Sequence, residues 1–158
     1  MIYYLIASIL IAVTALFART KRAVLAAGIL FYAVQIAAAG LLLWGGLYDT
    51  TSAAFFTFDA LGTLFYLLLV VVSMYVFGHS EAYLQGEDLR SYRLYFALLM
   101  LLTTAIAGAY FANNLAVTWI FLEATTLCSA GIIYHRRTAQ ALEAAWKYVF
   151  VCSTGIAM

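Results

Sequence analysis

Leu67-Leu-Leu-Val-Val-Val-Ser-Met74 is a continuous apolar run broken by a single hydroxyl, inside a stretch, 57–78, whose one charge is Asp59 near its start. A barrel strand alternates apolar and polar residues with a period of two, and this run does not. About 20 apolar residues in succession are what an α-helix needs to cross the hydrocarbon of a bilayer. Lipid admits only helices and closed barrels, because every backbone polar group must be satisfied inside the segment or the barrel. The run therefore predicts a membrane-spanning helix and an all-α chain.

Reading outward by the same rule gives further spans at approximately 2–18, 23–47, 92–112, 115–134 and 139–158. Together they predict an integral membrane protein of about six transmembrane helices, a single membrane domain over residues 1–158. Composition agrees: of 158 residues, 67% are hydrophobic and 9% charged, more apolar surface than a soluble domain of this size can bury. The net charge of +1 gives no reason to invoke nucleic acid. No basic residue precedes the first span, so a cleaved secretory signal is not expected. Thr138 is the expected N-cap of the last helix. With no proline in the chain, no proline kink is expected. Small residues in Ala33-Val-Gln-Ile-Ala37 and Ala105-Ile-Ala-Gly-Ala109 suit close helix packing. Cys128 and Cys152 lack metal-ligand spacing and read as small core residues.

Basic residues sit in alternate connections. Arg19, Lys21 and Arg22 fall in the first, Arg90 and Arg93 in or beside the third, Arg136 and Arg137 in the fifth. The positive-inside rule then puts the odd connections in the cytoplasm, the amino terminus outside, and Asp49 and the Asn113-Asn114 turn on the outer side. Tyr3, Tyr4, Trp44, Tyr48, Tyr83, Tyr92 and Tyr134 lie near predicted span ends, as headgroup-level rings do.

Two spans carry charges at depth. Glu123 lies in Ala116-Val-Thr-Trp-Ile-Phe-Leu-Glu-Ala-Thr-Thr-Leu-Cys128, about 13 Å from Asn114 and about 19 Å from Arg136 along the helix. Lys147, in Ala144-Ala-Trp-Lys-Tyr-Val-Phe-Val-Cys152, lies about 15 Å from Arg137. An ionisable group held in hydrocarbon costs a few kcal/mol and marks a functional site by default. The fifth and sixth spans should pack antiparallel, which puts a direct or water-bridged Glu123–Lys147 pair within reach. On the sixth span Gln140, Glu143, Lys147 and Thr154 share one face; Glu123 shares its face with Thr126 and Trp119. Low-dielectric surroundings favour the neutral forms of acid and amine alike, the property a proton carrier uses. The competing reading is a buried ion pair that only fixes helix register.

Other candidates are accessory. Asp59 reads as a helix-start acid before it reads as a carrier. His79 and His135 end the third and fifth spans, where an imidazole is suited to take up protons but is ordinarily just solvated. No cluster supports a metal site.

The ordered motifs resemble a known family. Phe58-Asp-Ala-Leu-Gly-Thr-Leu-Phe65, His79-Ser-Glu-Ala-Tyr83, Ala112-Asn-Asn-Leu-Ala116, Trp119-Ile-Phe-Leu-Glu-Ala-Thr-Thr-Leu127 and Glu143-Ala-Ala-Trp-Lys-Tyr148 are similar to the amino-terminal part of antiporter-like proton-conducting subunits. Such subunits occur in complex I, energy-converting hydrogenases and multisubunit cation/proton antiporters. Within that group these residues are most similar to the F-type subunit of hydrogenase-4 or formate hydrogenlyase. The match covers residues 54–158, and the first two spans only by hydropathy. The resemblance implies that Glu123 is the fifth-helix glutamate of a proton path and Lys147 the sixth-helix lysine beside it. It implies no cofactor in this chain, with nickel-iron and iron-sulfur centres in partner subunits: other membrane subunits and a peripheral redox module. The cargo is protons, with sodium as the alternative ion, and the location the cell membrane. Family members have about fourteen spans, so the expectation is an amino-terminal part, truncated or split, whose later carriers another segment or chain supplies.

Three functions follow for testing. The first is proton translocation within a redox-driven hydrogenase or complex I-like assembly. The second is a cation/proton antiporter or ion-coupled uptake system without redox chemistry. The third is a structural scaffold in which Glu123 and Lys147 only lock helix packing.

Overall fold

The computed structural model describes residues 2–45 and 55–157, apart from the side chain of Ala157. The helices are α1 (Ile2–Phe17), α2 (Lys21–Leu43), α3 (Ala60–Tyr83), α4 (Leu89–Tyr110), α5 (Leu115–Ile133) and α6 (Ala139–Ala157), with a 3₁₀ turn, Tyr134–Arg136, after α5. Among the described residues there is no strand beyond one isolated bridge, Phe56 to Ala112. Four helices start on a side-chain oxygen that accepts an otherwise orphaned N–H: Thr20 from Ala23, Asp59 from Gly62, Asn114 from Ala116 and Thr138 from Ala141.

The structure is that of an all-α, multi-pass membrane protein. α2, α3, α4 and α5 with its 3₁₀ turn are long and apolar enough to cross a membrane. α1, at 16 residues, reaches about 24 Å. α6 has length enough, at 19 residues, but carries Gln140, Glu143 and Lys147. Within the opening run, Val70 and Ser73 are buried while Leu68, Val71 and Val72 are more than half exposed. Such a surface is stable against lipid or another subunit and not against water.

α4 is the central helix, packed against α1, α2, α3 and α5, whereas α6 rests on α5 and the 3₁₀ turn. Thr103 and Thr104 are buried on α4, and each satisfies its hydroxyl on the carbonyl four residues back, Leu99 and Met100. Close approach of α4 to α5 depends on glycine: a Cβ on Gly108 would come within 2.4 Å of the Phe121 ring, and one on Gly131 within 2.7 Å of Leu98. Gly108 thus does what the small-residue stretch Ala105-Ile-Ala-Gly-Ala109 predicts. Ala33 and Ala37 do not; both are exposed, and α2 buries Phe31, Tyr32 and Gln35 instead. Gln35 is admitted because its Oε1 accepts from the Tyr4 and Tyr66 hydroxyls at 2.6 and 2.7 Å.

The odd connections meet at one end of the bundle. Arg93 donates to the Ala18 carbonyl at 3.0 Å, Lys21 to the Glu87 carbonyl at 2.8 Å, and Arg136 lies 3.3 Å from the Glu87 carboxylate. At the other end Thr57 donates to Phe111 and Asn113 to Phe55. The predicted outer position of Asp49, the interfacial place of Tyr48 and the end of the second span at 46–47 lie outside the described residues. Tyr3 and Trp44 are exposed, whereas Tyr92 is buried beneath Lys21, whose ammonium stands 5.3 Å from the ring centre.

Candidate functional site

Glu123 is half-buried where α5 meets α6. Its Oε1 accepts a hydrogen bond from the Ser153 hydroxyl at 2.8 Å. Thr126, one turn on, is buried on the same side and donates back to the Leu122 carbonyl at 3.2 Å. Phe121, about 160° away from Glu123 around the helix, packs against Gly108 of α4. The acid is therefore turned toward α6 and away from the packed core of the bundle.

Lys147 has a different partner from the one its depth suggested. Its ammonium bonds Glu143, one turn back, at 2.5 Å, and both side chains are largely exposed. Among the described residues no ion pair joins Glu123 and Lys147. Two geometric causes act together. Ser153 meets Glu123, so Lys147, six residues earlier on α6, sits about 9 Å along the axis from that level. Ala145, Val149 and Cys152 face α5, and at 3.6 residues per turn Glu143, Lys147 and Thr154 stand roughly opposite them on the wheel. Gln140 is exposed on this same outward stripe, and Thr154 spends its hydroxyl on the Phe150 carbonyl at 2.6 Å. The predicted polar face is one face, as spacing required, but this chain leaves it uncovered.

Ser153 was not singled out by sequence. The signal was present in the short link between the helices, because a tight antiparallel hairpin fixes which residue meets Glu123. Serine is common in membrane helices, and only that register distinguishes this one.

The accessory candidates divide. Asp59 caps α3, its Oδ1 accepting from Gly62 at 2.9 Å, so the helix-start reading describes it. Asp59→Ala is expected to lower thermal stability by about 1 kcal/mol and Asp59→Asn by a fraction of that, measured by heating in detergent. His79 is exposed beside Tyr75. His135, expected at a solvated span end, is buried at 6% exposure, because the 3₁₀ turn folds it under Tyr83 and Tyr95. Cys128 and Cys152 are free and half-buried. Among the described residues no three of His, Cys, Asp and Glu converge on a metal position.

The chain is 29% identical over 111 residues to a protein of Methylacidiphilum infernorum named hydrogenase-4 component F homolog, an alignment covering 66% of this chain. Over that stretch the chain is similar to hydrogenase-4 component F. It spans 23% of the length of that curated relative. No family model and no solved structure matches it. A helix face with a lysine, a glutamate and a glutamine is costly against lipid and is stable against protein or water.

Proposed function

We propose that this chain serves in a proton-translocating, antiporter-like subunit of a redox-driven hydrogenase or complex I-like membrane assembly, its six helices forming one membrane domain. The observation that carries the reading is the α5–α6 pair. A carboxyl group within a span is held by a hydroxyl that can exchange protons with it, and a lysine–glutamate pair lies one helix thickness away on an uncovered face. Lys147 and Glu143 then await a partner helix, and protons pass between Glu123 and that stripe through groups and water that the partner completes. The basic end, where the first, third and fifth connections meet, faces the cytoplasm in this reading. The related component-F homolog supports the assembly type.

Lys147→Met in the assembled complex tests the proposal, since it keeps the aliphatic stem and removes the charge. Protons moved per redox turnover in proteoliposomes are expected to fall at least about tenfold. The isolated chain should give no proton flux above empty vesicles, because the stripe lacks its facing helix. An unchanged proton-to-turnover ratio in the Met variant would remove proton translocation from this chain's role.

A further inference from the structure

The basic end of the bundle holds a buried base that the α5–α6 pair does not use. His135 Nδ1 lies 2.8 Å from the Ile132 carbonyl. A carbonyl oxygen only accepts, so this contact assigns the ring hydrogen to Nδ1 and leaves a lone pair on Nε2 of the neutral imidazole. Nε2 is buried and has no hydrogen-bond partner among the described residues. A buried lone pair without a donor calls for a water or a proton.

A cavity lies behind the wall of this site. Tyr95 stands edge-on to the imidazole with ring centres 5.3 Å apart, and Tyr83 lies at 6.4 Å. Both tyrosines also line an open cavity of about 280 Å³ with His79 and Ser80, room for several waters. Ser80 gives its hydrogen to the Val76 carbonyl at 2.6 Å, so at 3.2 Å it is Tyr95 that donates to Ser80. The Tyr95 oxygen keeps lone pairs for water. Charges around the site are already matched: Glu87, between α3 and α4, pairs with Arg136, whose guanidinium lies 5.2 Å from the Tyr83 ring centre. Glu143 and Lys147 of α6, which also touches the turn, pair with each other. The titratable groups facing the imidazole are Tyr83 from α3 and Tyr95 from α4, with His79 across the cavity.

We propose that His135 is a proton-uptake site, in which Nε2 takes a proton from a hydronium in the His79–Ser80–Tyr95 cavity, leaving water there, with Tyr83 and Tyr95 as the wall that admits it. The uptake role rests on the translocation reading above. The test is ¹⁵N NMR of the assembly in lipid with only this chain histidine-labelled, the His135 signals being those that the His135→Gln variant lacks. It is paired with proton translocation by His135→Gln across pH. Expected are an Nε2 that is bare at the high end of the series and gains a proton as the pH falls, and at least about tenfold slower translocation at pH 8 in the Gln variant. An Nε2 that stays in one state from pH 5 to 9 in an assembly that pumps overturns the uptake site and leaves the translocation reading standing. An assembly that moves no protons while His135 titrates overturns the translocation reading and the uptake role, and leaves a proton-binding site. A His135→Gln variant that assembles and superposes on the unmodified pH profile overturns the uptake role alone.

Discussion

Glu123→Gln in the assembled complex is expected to lower proton translocation by at least about 100-fold while assembly survives. The amide nearly matches the carboxylate in volume, and its oxygen can still accept from Ser153, so the α5–α6 contact keeps its hydrogen bond. What disappears is the proton that the group could bind and release. The register of the two helices sharpens this expectation. A residue in a buried ion pair leaves an uncompensated charge when neutralised and costs stability, typically about 3 to 5 kcal/mol. Here Lys147 is paired with Glu143, so neutralising Glu123 orphans no cation within this chain. Glu123→Asp should retain part of the activity, with the carboxyl drawn back from Ser153 by about one methylene. Ser153→Ala should slow translocation less than Glu123→Gln does. Pumping and complex yield have to be measured on the same preparations. A Gln variant that assembles and pumps at the unmodified rate ends the case for Glu123 as a carrier; one that fails to assemble supports the scaffold reading.

Hydropathy made the bundle legible because burial in lipid leaves a one-dimensional record. The 57–78 stretch became α3 at Ala60–Tyr83, starting where Asp59 caps it and running on through His79. It continues because Ser80, polar but bonded to the Val76 carbonyl, costs the helix nothing there. Asn114 and Thr138, polar residues directly before apolar periods, mark the starts of α5 and α6. Position along each helix was therefore readable, and Glu123 stood out for that reason. Azimuth was not. A leucine facing lipid and one facing α4 have the same chemistry, so sequence could group Gln140, Glu143, Lys147 and Thr154 on one face without saying whether that face meets α5. The burial of His135 was hidden for a related reason: a 3₁₀ turn of three residues, Tyr134–Arg136, swings the ring inward where a continued α-helix would have placed it elsewhere.

Gly108→Leu is expected to destabilise the bundle by about 3 kcal/mol, and Gly131→Leu by a comparable amount. The two glycines form a reciprocal arrangement along the antiparallel α4–α5 contact: Gly108 of α4 receives Phe121 of α5, and Gly131 of α5 receives Leu98 of α4, ten residues apart on each helix. In lipid there is no hydrophobic gain from bringing helices together, so their association depends on such interlocking. A Cβ on Gly108 would meet three atoms of the Phe121 ring within 2.6 Å. That ring is backed by Phe56, with ring centres 6.1 Å apart, and so cannot swing away without disturbing the link between the second and fourth connections. At Gly131 the obstacle is the end of a leucine side chain, which can change rotamer, so Gly131→Ala should be milder, about 1 kcal/mol. Gly40 has open space at its Cβ position, and Gly40→Ala should be neutral or stabilising by up to about 1 kcal/mol. Thermal denaturation of the four variants in one detergent orders them. The consequence reaches the site, because Gly108 and Gly131 seat the helix that carries Glu123. Displacing α5 from α4 while α6 remains attached through Ser153 should lower proton translocation even where the complex still forms. Gly108→Leu melting with the unmodified protein would mean that the α4–α5 contact is not what holds Glu123 in place.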